Sequence, residues 1–329
     1  MQIILAPMQG LTEVLFRRVY EECFPGTIDY AISPFLSLTH GELKHVDKRT
    51  KDVLPEENRG SMPIVPQILG KEPGEFIALA NYLYDLGYKE VNWNIGCPVR
   101  RVTAKHRGSG ILPYPDEIDE ILCIIMPQLK GALSIKMRLG FISNNEIFSI
   151  IPVLNRHPIK NVTIHPRIGK QMYTGTVDLD TFAAAAQQIN SEVIYNGDII
   201  TLQDYAIISN RFPQISKIMI GRGILQNPPL ASQIKKAQLG NAAAQPSALP
   251  LVQQRGDKET DIQNTRRLML RLIEEIDKQL PSQEAKTRKI KEYWSLMFRC
   301  FHIPEERKNL VLHCTSFEGT RGTIENIIQ

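Results

Sequence analysis

Residues 90–98 read EVNWNIGCP, a short apolar run that breaks off at a glycine, a cysteine and a proline. Short runs of β-branched, aromatic and other apolar residues, bounded by Gly or Pro, are typical of buried parallel strands. Seven more runs of this kind lie within the first 221 residues, at 3–8, 30–35, 64–69, 133–140, 161–167, 192–197 and 217–221. The pattern therefore predicts eight strands.

Helical segments are predicted between the strands. Apolar residues recur at helical spacing in residues 76–86, 118–129, 181–189 and 202–208. Eight strands that alternate with helices predict an α/β fold, namely a (β/α)8 TIM barrel. A doubly wound parallel sheet is the structural alternative, but no GxGxxG motif follows the first strand.

The character of the chain changes after the last predicted strand. Residues 236–256 are rich in Ala, Gln and Pro and show no clear period, which is typical of a linker. Beyond them, apolar residues recur at helical spacing in two stretches, Met269, Leu272, Ile273, Ile276 and Leu280, then Ile290, Tyr293, Trp294, Met297, Phe298 and Phe301. We predict a barrel over residues 1–237, a linker over 238–256 and a small all-α helical bundle over 257–329.

The composition of the 329 residues is that of an ordinary globular protein, with 43% hydrophobic and 22% charged residues and a net charge of +4. The five cysteines are scattered and form no CxxC pair, so that neither a zinc site nor a disulfide framework is predicted, and no other metal site is expected. This cysteine usage suits a reducing compartment and predicts a cytoplasmic protein. We expect neither a signal peptide nor a membrane span, because no apolar run is long enough.

Polar side chains stand at or near the end of nearly every predicted strand, on the face where barrel enzymes build their sites. They are Gln9, Gln67, Cys97, Lys136, Arg138, His165, Arg167, Asn196, Asp198 and Arg222. A single strand-end His or Lys is often a structural hydrogen-bonding residue. Packing alone does not explain a polar group at so many strand ends, which favours an active site there.

Two glycine-rich segments follow the last two predicted strands, Asn196-Gly197-Asp198 and Gly221-Arg222-Gly223. Loops at these positions of a barrel commonly bind phosphate through backbone N–H groups, and an arginine adds charge-assisted hydrogen bonds. The segments favour a phosphorylated cofactor, with ordinary tight turns as the alternative. In a buried site, the Lys136 ammonium could stabilise the negative charge of a reduced flavin.

Cys97 lies between Gly96 and Pro98, which interrupt the strand, and this position suits a chemical role better than packing in the core. An ordinary thiol is mostly protonated at neutral pH and can act as a general acid, whereas basic neighbours would lower its pKa and make it a nucleophile. The residues leave both roles open. Cys123, inside the apolar segment ILCIIM, is instead predicted to be a core residue.

A basic loop follows Cys97 and contains no acidic residue. Its cations are Arg100, Arg101, Lys105 and Arg107. A charged loop is usually just a solvated surface, but this one lies beside the candidate catalytic thiol and therefore favours contacts with phosphates.

Six motifs together resemble those of the tRNA-dihydrouridine synthases: APMQG at 6–10, NIGCP at 94–98, SIKMR at 134–138, IHPR at 164–167, YNGD at 195–198 and IGRG at 220–223. The resemblance implies an FMN-binding TIM barrel followed by a helical tRNA-binding domain. It also implies NADPH-dependent reduction of a uridine in the D-loop of tRNA, with Cys97 as the proton donor.

The same resemblance implies a set of contacts. Those to FMN would come from Pro7, Met8, Gln9, Gln67, Lys136, His165, Asn196, Gly197, Asp198, Gly221 and Arg222. Those to RNA are predicted for Asn94, Arg100, Arg101, Lys105, Arg107, Arg138, Arg167 and Lys289.

Two other functions fit part of the sequence. One is an FMN-dependent barrel oxidoreductase of a small molecule, similar to dihydroorotate dehydrogenase, which would explain the phosphate segments and the thiol but not the basic loop or the helical region. The other is a flavin-containing protein that binds or folds tRNA, for which Cys97 would not be needed.

Overall fold

The computed structural model describes residues 1–38, 50–243, 255–301 and 303–328. Within these residues, nine parallel strands form a single sheet in the order β3-β2-β1-β9-β8-β7-β6-β5-β4. The strands are β1 (Gln2–Leu5), β2 (Tyr30–Ile32), β3 (Ile64–Val65), β4 (Gln67–Ile68), β5 (Glu90–Ile95), β6 (Ala132–Gly140), β7 (Asn161–Ile168), β8 (Glu192–Tyr195) and β9 (Lys217–Ile220).

The two ends of this sheet are halves of one strand, and they close it into a barrel. Only Pro66 separates β3 from β4; β3 pairs with β2, and β4 pairs with β5. Proline has no N–H to donate to a strand ladder, which accounts for the break, although the Pro66 carbonyl still accepts from the Asn92 N–H at 2.8 Å. Counted as one strand, residues 64–68 complete the eight strands of the predicted TIM barrel.

Helices surround the described barrel strands, and four of them were not predicted from the sequence. The helices are α1 (Val14–Cys23), α2 (Pro73–Asp85), α3 (Arg100–Thr103), α4 (Pro115–Ile125), α5 (Glu146–Arg156), α6 (Leu179–Ala186), α7 (Leu202–Arg211) and α8 (Arg222–Gln226). The four are the short α3 and α8 and two longer helices with an unusual residue each: α1 buries Arg17, and α5 contains Pro152.

Five further helices make up the C-terminal region of the described chain: α9 (Leu230–Ala243), α10 (Arg255–Gln279), α11 (Gln283–Met297), α12 (Glu305–His313) and α13 (Phe317–Ile328). The predicted linker, residues 238–256, is therefore helical at both ends, and residues 244–254 lie outside the described part. Ala, Gln, Leu and Lys are good helix formers, so the composition that indicated a linker also suits a helix.

The helical region packs on the first helix of the barrel. The two predicted apolar stripes lie on α10 and α11, and Ile273 and Tyr293 are among their buried side chains. Tyr293 stacks on Phe16 of α1 with 5.8 Å between ring centroids, and Arg271 of α10 pairs with Glu22 of α1 at 3.1 Å. The predicted helical bundle thus shares its core with the barrel.

Two observations concern the outside of the molecule. Cys123 is exposed on the outer face of α4, so its prediction as a core residue was wrong; the ILCIIM segment turns Cys123 and Ile124 outward while Ile121, Leu122 and Ile125 are buried. Among the described helices, none is long and apolar enough to cross a lipid bilayer.

Candidate active site

A cavity of about 510 Å³ lies at the C-terminal end of the barrel strands. Ten of the predicted cofactor-binding residues line it: Pro7, Met8, Gln9, Lys136, His165, Asn196, Gly197, Asp198, Gly221 and Arg222. Cys97 lines it too, with three predicted RNA contacts, Asn94, Arg101 and Arg138. Gln67 is not part of the lining. The structure therefore brings most of the predicted site to one place.

Two basic side chains of strand β6, Lys136 and Arg138, line the cavity. The apolar residues Ile135 and Met137 on this strand are fully buried, and the alternation of a strand turns Lys136 and Arg138 to the opposite face. In the described chain, the Lys136 ammonium has no carboxylate or hydrogen-bonding partner. Burial lowers the pKa of Lys136 to about 7, and the charge of Arg138 adds to the effect. An anion in the cavity would restore the charge of this lysine.

A chain of side-chain amides runs behind the cavity wall and ends at the thiol loop. Asn92 Oδ1 accepts from Gln67 Nε2 at 2.8 Å, and Gln67 Oε1 accepts from Asn94 Nδ2 at 2.8 Å. Asn94 Oδ1 then accepts from the Cys97 N–H at 3.0 Å. Each amide has both ends engaged, so the chain fixes the orientation of Asn94 and the position of the Cys97 backbone. Gln67 thus lies one layer behind its predicted place.

The Cys97 thiol is held in its protonated form. Burial raises its pKa, which outweighs the opposing effects of a hydrogen bond from the Val99 backbone and the charges of Arg138, Lys136 and Arg101. The sequence left open whether Cys97 acts as a general acid or as a nucleophile, and the raised pKa of the thiol favours the general acid. The same cations would stabilise the thiolate that remains after a proton is donated.

His165 is a neutral imidazole. Burial lowers its pKa well below the usual value, and the surrounding charges of Arg138, Lys136 and Arg167 act in the same direction. His165 Nε2 lies 3.1 Å from Arg167 Nη1, which can only donate. The ring proton is therefore on Nδ1, which makes His165 a neutral hydrogen-bond donor at the cavity wall.

Asp198 joins two arginines beside the cavity. Its carboxylate accepts from Arg167 Nη1 at 2.9 Å and from Arg222 Nη2 at 2.7 Å. Burial alone would raise the pKa of Asp198, but the hydrogen bonds and charges of the two arginines outweigh it and lower the pKa. Arg167 is buried, and it also donates to the carbonyls of Thr174 and Gly175. Arg167 therefore links the loop after β7 to the segment after β8. Its side chain is buried and is not available for the RNA contact that was predicted.

The three glycines of the two predicted phosphate segments leave little or no room for a side chain. A methyl group at Gly223 would lie 1.9 Å from the Ile199 carbonyl oxygen, and one at Gly197 would lie 2.4 Å from the Tyr195 hydroxyl. At Gly221 it would meet the Met8 sulfur at 3.2 Å. The cavity floor is thus formed by backbone, as a site that binds phosphate through N–H groups requires.

Tyr173 also lines the cavity, although the sequence did not predict it as a site residue. It lies in the loop after β7, is 53% exposed, and its ring lies 5.4 Å from the Arg138 guanidinium and 5.2 Å from that of Arg222. Such cation–π contacts fix an aromatic ring at the cavity mouth. The segment GKQMYTG shows no periodic signal, and only the single aromatic residue in a polar loop could have drawn attention to it.

The other five predicted RNA contacts separate into two groups. The predicted basic loop begins with helix α3, on which Arg100 and Arg101 are exposed; Lys105, just after the helix, is exposed too, and Arg107 is partly exposed. Lys289 behaves differently, because its ammonium contacts the Gly10 carbonyl and the Glu13 carboxylate within the protein. The segment from Arg100 to Arg107 forms a basic rim beside the cavity, and Lys289 is not part of it.

One group of potential metal ligands occurs in the described part of the chain, on the outer helices. Asp119, Cys123 and His157 bring their ligand atoms within 4.8 Å of one another. The Asp119 carboxylate is already engaged by His157 and by Arg156, each at 2.8 Å. None of these residues lines the cavity.

Residues 4–314 match the family described as Dihydrouridine synthase. The chain belongs to the dihydrouridine synthase family. Membership of this family makes the protein an oxidoreductase, as predicted. A tRNA-dihydrouridine synthase B of Pasteurella multocida is 29% identical over 228 residues, which cover 69% of this chain and 67% of that protein. A probable tRNA-dihydrouridine synthase of Staphylococcus epidermidis is 32% identical over 235 residues, which cover 68% and 69%.

Solved structures share the fold of this dihydrouridine synthase family member. Histamine dehydrogenase from Rhizobium sp. 4-9 superimposes with a TM-score of 0.54 at 9% identity, covering 73% of this chain and 46% of that one. The old yellow enzyme from Trypanosoma cruzi gives a TM-score of 0.50 at 9% identity, covering 71% and 88%. These similarities confirm the TIM barrel and no more than the fold.

Proposed function

We propose that this protein reduces the 5,6 double bond of a uridine in the D-loop of tRNA, with FMN bound in the cavity and NADPH as the source of electrons. The observation that carries the proposal is that a protonated thiol, Cys97, and an unpartnered ammonium, Lys136, line the same cavity. The family supports a tRNA substrate and a flavin cofactor. That the flavin is FMN, that NADPH reduces it and that the uridine lies in the D-loop are further parts of our proposal.

The cavity residues fit a phosphorylated flavin. Its floor of backbone at Gly197 and Gly223 suits a phosphate, and Arg222 supplies a positive charge beside it. Lys136 is a buried cation that lacks an anionic partner, and a ring that becomes negative on reduction would provide one. His165 adds a neutral N–H donor. A bound reduced flavin would supply the hydride that saturates carbon 6 of the uracil ring.

Cys97 would supply the proton for carbon 5 of the same ring. Its raised pKa keeps the proton in place until the reaction needs it. After transfer, the thiolate lies near the positive charges of Lys136, Arg138 and Arg101, which favour its formation, and solvent can return the proton. One hydride and one proton add across one double bond, so the atoms and charges balance.

A uridine has to leave the base stack to reach such a cavity. The rim residues Arg100, Arg101 and Lys105 are exposed beside the mouth and would bind the RNA backbone while the base is inserted. Arg101 also lines the cavity, so the basic rim and the reaction site are continuous. This continuity favours a polynucleotide over a small-molecule substrate. Because tRNA is the proposed substrate, we also propose a cytoplasmic location.

The test is a single-turnover measurement of dihydrouridine formation on tRNA with pre-reduced enzyme. Cys97→Ala should retain its flavin and slow the reaction by about 10² to 10⁴-fold, the usual effect of losing a general acid. Cys123→Ala removes an exposed thiol on the outer face of α4 and serves as the control, with an unchanged rate. An undiminished rate in Cys97→Ala would remove the thiol from the mechanism.

A further inference from the structure

The loop that connects β1 to α1 supplies three of the proposed cofactor contacts, Pro7, Met8 and Gln9. Its conformation depends partly on Thr12, whose hydroxyl accepts from the Met8 N–H at 2.8 Å and donates to the Ala6 carbonyl at 3.0 Å. These bonds close the loop on itself. They leave three consecutive carbonyls, those of residues 10, 11 and 12, to be satisfied from outside.

Each of these carbonyls accepts a hydrogen bond from a long side chain. The Thr12 carbonyl accepts from Arg17 Nη1 of α1 at 2.8 Å. The Leu11 carbonyl accepts from the Tyr293 hydroxyl at 2.7 Å, and the Gly10 carbonyl accepts from Lys289 Nζ. The last two donors lie on α11, so two of the three external bonds of this loop come from the helical region.

Lys289 and Tyr293 form one unit on α11. They are four residues apart, on the same face of the helix, and the Lys289 ammonium lies 5.5 Å from the centre of the Tyr293 ring. Lys289 also pairs with Glu13 at 3.1 Å, and only 13% of its side chain is exposed. Its charge is thus neutralised at the loop and is not presented to the solvent.

The next turn of α11 reaches the cavity itself. Leu296, three residues beyond Tyr293, lines the cavity together with Leu11. The helix therefore both anchors the loop and forms part of the wall. A barrel without this helix would lack two hydrogen bonds to the loop and the part of the cavity wall that Leu296 forms.

From this arrangement we propose that Lys289 and Tyr293 are positioning residues for the cofactor: through the carbonyls of Gly10 and Leu11 they hold the β1–α1 loop in the conformation that binds the flavin. The proposal rests on the proposed function, because it takes the cavity to be the flavin site. It gives the helical region a second role besides RNA binding and moves Lys289 from the RNA contacts to the cofactor site.

The test uses the full-length protein and measures flavin and tRNA binding separately. Tyr293→Phe removes only the hydroxyl, and Lys289→Ala removes the ammonium. We expect each variant to bind FMN at least about fivefold more weakly, the effect of losing one hydrogen bond, in titrations that follow the quenching of flavin fluorescence. Lys289→Arg keeps a donor and a charge and should recover most of the affinity.

Lys291→Ala is the matched control. Lys291 lies on the same helix, and its Nζ also donates to two carbonyls, those of Leu312 at 2.7 Å and Cys314 at 2.5 Å, but it does not contact the loop. This control should bind FMN as the wild type does. In Lys289→Ala, the affinity for tRNA and its salt dependence should also stay at the wild-type values.

Two outcomes would overturn the inference. One is unchanged FMN affinity in both Tyr293→Phe and Lys289→Ala. The other is a loss of tRNA affinity in Lys289→Ala with a salt slope reduced by about one, the signature of a lost phosphate contact. Either result would leave the proposed function standing, because that would fail only if the wild-type protein bound no flavin or formed no dihydrouridine.

Discussion

Replacing Lys136 with methionine should stabilise the flavin-depleted protein while weakening its hold on the cofactor. The wild type has to bury an ammonium that finds no partner among the described residues. Its pKa is about 7 in the folded protein against an ordinary value of 10.5. Between these pH values the unfolded chain binds more protons than the folded one, so the free energy of unfolding of the wild type should rise as the pH is raised.

The size of the effect follows from the two pKa values. They differ by about 3.5 (10.5 less about 7), and each pKa difference of one corresponds to about 1.36 kcal/mol, which gives about 5 kcal/mol in full. Because the cavity is open to solvent, we expect about 2 to 4 kcal/mol of this between pH 6 and pH 10. The cost is greatest below pH 7 and is relieved as the pH rises toward 10.5.

The assay is urea denaturation of the wild type and Lys136→Met at several pH values and constant ionic strength. The stability advantage of the variant should be largest at pH 6 and should shrink by about 2 to 4 kcal/mol by pH 10. Lys170→Met, a change at an exposed lysine, controls for the substitution itself and should give a curve parallel to the wild type. If Lys136→Met also runs parallel, Lys136 is not a costly buried cation.

Three further predictions follow from contacts near the cavity. Gln67→Leu leaves Asn92 Oδ1 and Asn94 Nδ2 without the partners that Gln67 provides, so it should cost about 1 to 3 kcal/mol per group in unfolding experiments and lower kcat with little change in KM. Asp198→Asn removes the charge shared by two arginines and should lower stability by about 1 to 3 kcal/mol, measured by chemical denaturation; an unchanged midpoint would contradict the bridge. Arg101→Ala should weaken tRNA binding and reduce its salt slope by about one, measured by filter binding at several salt concentrations.

The strands were predictable because each is a local feature. A run such as EVNWNIG carries its own signal in β-branched and aromatic residues, and all eight predicted strands are present. Helices α1 and α5 were missed because a buried Arg17 and an internal Pro152 disrupt the local pattern. Pro152 is exposed, and tertiary contacts compensate for the buried Arg17. In α1, for example, Arg17 donates to the Thr12 carbonyl and pairs with Asp52.

The candidate site was predictable to the extent that it depends on strand ends. Position along a strand tells which face of the barrel a side chain occupies, and this placed Cys97 and Lys136 correctly at the cavity. It does not tell which neighbour a side chain will meet. Gln67 bonds to two asparagines, Lys289 bonds to a loop nearly 280 residues away in the chain, and Tyr173 lies against two arginines. These pairings depend on the folded arrangement, which no single segment specifies.

The split strand at Pro66 has a consequence for the motions of the barrel. Strands β3 and β4 each join a neighbour through two residue pairs, whereas β5 and β6 share six. Local opening by thermal fluctuation should therefore occur more readily at this seam than between β5 and β6, and the amide hydrogens of the seam should exchange with solvent before those of β6. Gln67 lies on the seam, so each opening also releases the amides that orient the thiol. The lifetime of the closed barrel thus sets how long the Cys97 backbone keeps its position at the cavity.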